Sequence, residues 1–148
     1  RSTLFPYTTL FRSIIDNPTR ARSIIKKARS RLRCAYVSGG SGPRAFDCSG
    51  LVYWTLKHTK GNKVKPVKSS GSGMYASTLK KYRVSGRIKD AKKGDVIMFS
   101  NSGSTAGICH TGIYAGHGRV IHASTPATGV CIGQIKYLQK VVAVCRLP

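Results

Sequence analysis

Apolar residues recur with a helical period in the first part of the chain and form short strand-like runs in the second. Five of them share one stripe between residues 18 and 33: Ala21, Ile24, Ile25, Ala28 and Leu32. Asn17-Pro18 precedes this stripe, and proline is favoured in the first turn of a helix. The pattern predicts a helix over residues 18–33 with one face packed on a core.

A second helical pattern begins at Cys48, where Cys48, Leu51, Val52 and Leu56 share one face. Asp47 stands at the expected N-cap, because its carboxylate can accept hydrogen bonds from the first-turn N–H groups. We expect this helix to end near residues 58–61. Residues 59–73 are rich in Lys, Ser and Gly, which predicts a mobile surface loop, and we expect a short helix over residues 74–82.

Strand patterns dominate after residue 95. Residues 96–99 form a short apolar strand, and residues 109–114 and 119–124 flank a glycine-containing turn as a hairpin. Two further strands are predicted near residues 129–135 and 141–145. Helices followed by antiparallel strands indicate an α+β fold.

The predicted hairpin brings two histidines together. A turn of three or five residues centred on Gly116 would place His110 directly opposite His122. Since side chains alternate between the faces of a strand, both imidazoles would project from one face with their Cβ atoms about 5 Å apart.

Charge is the most unusual feature of the composition. The 148 residues contain 26 Lys and Arg against 4 Asp and Glu, a formal net charge of +22. Such a chain attracts polyanions through a salt-dependent and largely non-specific interaction. Nucleic acid, anionic membranes and anionic cell-wall polymers all fit, and charge alone does not choose among them.

The chain has five cysteines: Cys34, Cys48, Cys109, Cys131 and Cys145. None forms a C-x-x-C pair, so a structural zinc site has little support. The odd number fits one free thiol with up to two disulfides among the other four, and it fits five reduced thiols equally well.

The first 13 residues differ in character from the rest. Leu4 to Ser13 resembles the conceptual translation of a DNA-sequencing adapter, so we expect residues 1–13 to be foreign and residues 14–148 to form the domain. No apolar run is long enough for a transmembrane helix or the core of a signal peptide. We expect that any signal region was lost with the true start.

Three residues could form a catalytic constellation. Cys48 would lie at the positive end of a helix dipole, which favours the reactive thiolate. A thiol nucleophile needs a base, and the base needs a partner that orients its ring; His110 and His122 can supply these parts. The alternative is that Cys48 is a small buried hydrophobe and that the histidines satisfy local hydrogen bonds.

Six segments carry a family resemblance: Tyr36, Gly39-Gly40, Phe46-Asp47-Cys48-Ser49-Gly50-Leu51-Val52, Gly94-Asp95-Val96, His110-Thr111-Gly112-Ile113-Tyr114 and Ile121-His122-Ala123. Together they resemble the NlpC-type cell-wall peptidases, which are papain-like cysteine peptidases of bacteria and phages. The resemblance covers roughly residues 18–146.

This resemblance implies a papain-like core, with the cysteine helix packed on an antiparallel sheet of about five strands. It implies hydrolysis of peptidoglycan stem peptides, typically between D-γ-glutamate and the following diamino acid, without a metal or other cofactor. It also implies a secreted or cell-wall-associated protein.

The resemblance also assigns roles to residues. Cys48 would attack the carbonyl, His110 would act as acid and base, and His122 matches the third, polar position. Tyr36 matches a tyrosine that lines the site. Asp47 and Ser49 match positions that contact substrate.

Two other classes of function remain open. One is a non-catalytic basic domain that binds cell-wall polymer or nucleic acid, although the aromatic residues lie mostly in apolar segments rather than among the basic ones. The other keeps the thiol chemistry in an amidase or acyltransferase.

Overall fold

The structure, a computed structural model, describes residues 17–148. The predicted foreign segment, residues 1–13, lies outside the described residues. The order of elements, helices first and antiparallel strands later, confirms the α+β prediction.

Within residues 17–148, three α-helices precede the main sheet: α1 (Pro18–Arg29), α2 (Cys48–His58) and α3 (Gly71–Met74). A π-helical turn, Tyr75–Leu79, and a 3-10 turn, Lys80–Tyr82, continue α3. The helical segment predicted at residues 74–82 therefore begins earlier, at Gly71, where the Ser70 hydroxyl accepts a hydrogen bond from the Gly73 N–H.

The part of the chain that the structure describes contains eight strands in two sheets: β1 (Ala35–Tyr36), β2 (Ala45–Phe46), β3 (Arg83–Ser85), β4 (Val96–Ser100), β5 (Ile108–Gly116), β6 (Arg119–Ala123), β7 (Val130–Gln134) and β8 (Lys140–Cys145). Strands β1 and β2 pair in parallel, and the other six pair antiparallel in the order β3-β8-β4-β5-β6-β7. The sheet thus has six strands rather than about five. The short β3 and the β1–β2 pair had not been predicted.

The first helix ends four residues earlier than its apolar stripe predicts. After Arg29 the chain turns, Arg33 adopts a positive φ of 75°, and its N–H donates to the Val130 carbonyl at the start of β7. This bond to the sheet replaces the last helical turn, while Leu32 still packs on the core.

The segment from residue 59 to 70 is more closely anchored than a surface loop. The buried Asn62 side chain donates from its amide to the carbonyls of Leu56 and Val64, at 2.9 Å each. Thr59 and Val64 are buried as well. The prediction of a simple surface loop is therefore wrong for this part.

The main core lies between the helices and the sheet. Strand β4 is buried on both sides: Val96 and Met98 belong to the main core, whereas Ile97 and Phe99 belong to a smaller cluster on the opposite face. Helix α2 packs on β5 and β6, so its first residues reach the sheet that carries the two histidines.

The hairpin register differs from the predicted one. Ile113 pairs with Ile121 and Tyr114 with Val120, so His122 lies opposite Gly112 rather than His110. A two-residue turn at His117 and Gly118, both with positive φ, and an irregularity before Gly116 account for the difference. The shift is two residues, which keeps both imidazoles on one face.

Candidate active site

Asp47 organises the start of α2. One carboxylate oxygen accepts the Gly50 N–H at 2.7 Å, as predicted for an N-cap, and the other accepts the Gly39 N–H at 2.8 Å. The Asp47 N–H in turn donates to the Gly40 carbonyl at 2.9 Å. Asp47 therefore joins the glycine loop to the helix that begins with Cys48.

The Cys48 thiol is half-buried at the first position of α2 and faces β5. Three backbone N–H groups form hydrogen bonds to the sulfur and favour its charged form: those of Thr111, Ser49 and Cys48 itself. Burial nevertheless raises the pKa of the Cys48 thiol, and the Asp47 carboxylate raises it further. The N–H groups at the helix start thus favour the thiolate, as expected, but burial and the Asp47 charge outweigh them in the pKa of the thiol.

The Thr111 N–H that reaches the sulfur belongs to the residue after His110 on β5, so the thiol approaches this strand next to the predicted base. His110 Nε2 lies 2.7 Å from His122 Nδ1, and the two rings meet edge to face. Burial, with a smaller contribution from His122, lowers the pKa of His110 to about 4. Burial also lowers the pKa of His122. Both imidazoles are therefore neutral at neutral pH.

Strand β7 leaves room for the His122 ring. Cys131 pairs with His122 across β6 and β7, and a Cβ on Gly133 would lie only 2.6 Å from His122 Nε2. On the other side, a Cβ on Gly112 would lie 3.1 Å from the Cβ of His122. The two glycines thus leave space for the buried His122 side chain, whose ring reaches His110.

The three candidate substrate residues surround the thiol in different ways. Tyr36, in β1, is half-buried, and burial raises the pKa of its phenol, as do the nearby Cys48 and Asp47. It therefore presents a neutral hydroxyl beside the thiol. Ser49 is buried and donates to Asp47 at 3.3 Å, and Asp47 is occupied with the glycine loop. Contact of all three residues with substrate stays a prediction.

The glycine loop and α2 touch at Gly40 and Gly50. A Cβ on Gly50 would overlap the carbonyl oxygen of Gly40. Because that carbonyl also binds the Asp47 N–H, it cannot move away without loss of a hydrogen bond. Gly50 is therefore required for the loop to close over the helix start.

The Gly50→Ala variant is expected to lower the free energy of unfolding by about 1–3 kcal/mol, the usual cost of overpacking, although alanine favours helices. Urea denaturation measures this change. Gly71→Ala is the matched control, since its Cβ would make an ordinary contact of 3.5 Å with Ile108. Equal stability of Gly50→Ala and the parent would contradict the close contact.

The remaining candidates have other surroundings. His58 stacks on Trp54 at the end of α2, with ring centroids 4.7 Å apart, and His117 is exposed in the hairpin turn. All five cysteines are free thiols. Between residues 17 and 148, no group of three or more His, Cys, Asp or Glu side chains is arranged to hold a metal ion.

The sequence pointed to Cys48, His110 and His122 as candidates, but it did not reveal the groups that position them. The Thr111 N–H, the Gly40 carbonyl and Gly133 all act through contacts between separate elements, whose relative placement a local pattern does not contain. Only the glycines gave a signal in the sequence, because a glycine inside a predicted strand indicates a close approach of another group.

Known proteins are similar to this chain in sequence and in fold. The sequence profile of the NlpC/P60 family matches residues 33–146. A probable endopeptidase of Corynebacterium glutamicum is 30% identical over 138 residues, which cover 88% of this chain and 59% of that protein. The gamma-DL-glutamyl hydrolase of Bacillus subtilis is 36% identical over 112 residues, which cover 74% of this chain and 24% of that protein.

A solved structure from the same family has a similar fold. The NlpC/p60 domain of the peptidoglycan hydrolase SagA superimposes with a TM-score of 0.68 at 26% identity, over 84% of this chain and 97% of that domain. The chain spans about three fifths or less of the length of the two curated relatives above.

Proposed function

Because the chain belongs to the NlpC/P60 family, we propose that it is a cysteine endopeptidase that hydrolyses peptidoglycan stem peptides. The proposed bond is the amide between D-γ-glutamate and the following diamino acid. One observation carries the proposal: the half-buried Cys48 faces β5 at the residue next to His110, whose ring is held 2.7 Å from His122. The names of the relatives, endopeptidases and a gamma-DL-glutamyl hydrolase, support the reaction class.

Acylation begins from a neutral thiol and a neutral imidazole. As the Cys48 sulfur attacks the carbonyl carbon, its proton passes to Nδ1 of His110, the ring nitrogen that does not face His122. The N–H groups at the start of α2, including that of Cys48, stabilise the oxyanion. The C–N bond then breaks, His110 returns the proton to the leaving amine, and a thioester remains on Cys48.

Deacylation repeats these steps with water. His110 takes a proton from the water as its oxygen attacks the thioester carbonyl. The C–S bond breaks, the proton returns to the sulfur, and the product leaves with a new carboxyl group. The hydrogen bond to His122 holds the His110 ring in one orientation through both halves.

The neutral resting pair predicts the acid limb of the pH profile. Since protonated His110 cannot accept the thiol proton, kcat/KM should stay level from pH 7 to about pH 5 and fall as the pH falls through about 4. Initial rates on a purified stem peptide measure this, with circular dichroism at each pH as the control for folding. A limb centred near pH 6.5 would contradict the buried, neutral His110.

The basic surface supports retention on anionic wall polymers. Four carboxylates cannot neutralise 26 basic residues, and two of the four, Asp90 and Asp95, already lie in ion pairs with arginine. Attraction of this kind weakens as salt rises. Within residues 17–148 no helix is both long and apolar enough to cross a membrane. A secreted or wall-associated location belongs to this proposal.

The proposal is tested by digestion of purified muropeptides with the parent and with Cys48→Ala, with products identified by mass spectrometry. Cleavage after γ-glutamate by the parent alone is expected. Each alternative has a distinct outcome. Binding to cell walls without any cleavage indicates a basic binding domain. Release of the stem peptide from the sugar, or transfer of an acyl group to an amine, indicates an amidase or acyltransferase.

A further inference from the structure

A third side chain continues the row formed by His110 and His122. Cys131 Sγ lies 3.7 Å from His122 Nε2, within hydrogen-bonding range for sulfur. His110 Nε2, His122 Nδ1, His122 Nε2 and Cys131 Sγ therefore form a continuous chain of hydrogen-bonding atoms. Cys131 plays no part in the proposed chemistry at Cys48, so its position requires a separate account.

The chain of atoms has two possible directions, and only one is productive. A neutral imidazole carries its hydrogen on one nitrogen and accepts with the other. If Nδ1 of His110 is to accept a proton from the thiol, the hydrogen of His110 must be on Nε2 and must point to Nδ1 of His122. The hydrogen of His122 is then on Nε2 and points to Cys131.

The reverse direction disables the base. If Cys131 donated its S–H to His122 Nε2, His122 would donate from Nδ1 to His110 Nε2. The hydrogen of His110 would then be on Nδ1, where no proton from Cys48 could be accepted. The direction of the bond between Cys131 and His122 therefore sets the state of His110.

We propose that Cys131 is a positioning residue for the proposed reaction, whose sulfur accepts the Nε2–H of His122 and so fixes the productive tautomer of both histidines. The sheet supports this role. Cys131 pairs with His122 in register. Gly133 on the same strand has no side chain, which leaves space for the His122 ring beside the sulfur. No proton is transferred to Cys131, so the catalytic steps at Cys48 balance without it. The inference rests on the proposed function.

Removal of the sulfur should lower turnover without loss of binding. Cys131→Ala is expected to reduce kcat about three- to tenfold, the range for one hydrogen bond, with KM unchanged. Cys131→Ser, which keeps an acceptor, is expected to lie closer to the parent. Cys109→Ala is the matched control, since Cys109 is exposed on β5 and should leave kcat unchanged.

Two further readouts separate positioning from a structural role. In a His122→Ala background, Cys131→Ala should cause no additional loss, because it acts through His122. Long-range ¹H–¹⁵N NMR should show the Nε2–H tautomer of His122 in the parent and a mixture in Cys131→Ala. Equal kcat for parent and Cys131→Ala, or the same loss with and without His122, would overturn the inference. If the parent itself cleaves no stem peptide, the proposed function is overturned instead.

Discussion

Cys48→Ala is expected to abolish cleavage of stem peptides, with kcat reduced by about 10⁴-fold or more, as for other catalytic nucleophiles. The sulfur is the atom that would form the thioester, and the neighbouring hydroxyl of Ser49 is buried and donates to Asp47. Initial rates on a purified stem peptide, followed by mass spectrometry, measure the loss.

The loss should not arise from unfolding. Cys48 is only partly buried, and Asp47 and Gly50 hold the start of α2 through bonds that do not involve the sulfur. The thermal midpoint of Cys48→Ala should therefore match that of the parent. Cys109→Ala, with the same chemical change at an exposed site, should remain fully active. Activity of Cys48→Ala above one hundredth of the parent's would contradict the assigned nucleophile.

His110→Ala has the second largest expected effect, a loss of about 10²–10⁴-fold in kcat, the range for a general acid and base. Without the imidazole the thiol must ionise unaided, and burial and Asp47 raise its pKa. The residual rate should therefore rise with pH from 7 to 9, where the parent is level. Stopped assays across this range measure both features.

His117→Asn provides the matched control for His110→Ala. His117 is exposed in the hairpin turn with a φ of 55°, a conformation that asparagine tolerates. The His117→Asn variant should keep the parent's rate and pH profile. A His110→Ala variant with a level pH profile and a small loss would show that another group takes the thiol proton.

Local signals in the sequence were sufficient for much of the fold. The Asp47 cap and the start of α2 follow from neighbouring residues, and the glycine-marked hairpin follows from its turn. The facing histidines were predicted with the wrong register, because a histidine with positive φ in a two-residue turn is uncommon. Their shared face survived this error because the shift was two residues.

What could not be predicted depends on how separate elements pack on one another. The overlap of Gly40 with any side chain at position 50 needs the loop folded over the helix. The contact of Cys131 with His122 needs the register of β6 and β7. The raised pKa of the Cys48 thiol needs the extent of its burial, which a helix-start pattern does not contain.

Capture of the acyl-enzyme would identify the nucleophile directly. A stem peptide with an activated ester in place of the γ-glutamyl amide would acylate the thiol rapidly, so that acid quenching captures the intermediate for intact-mass and peptide mapping. We expect one adduct, on Cys48, with the mass of the stem fragment that ends in γ-glutamate. Turnover without an adduct on Cys48, or an adduct on another cysteine, would contradict it.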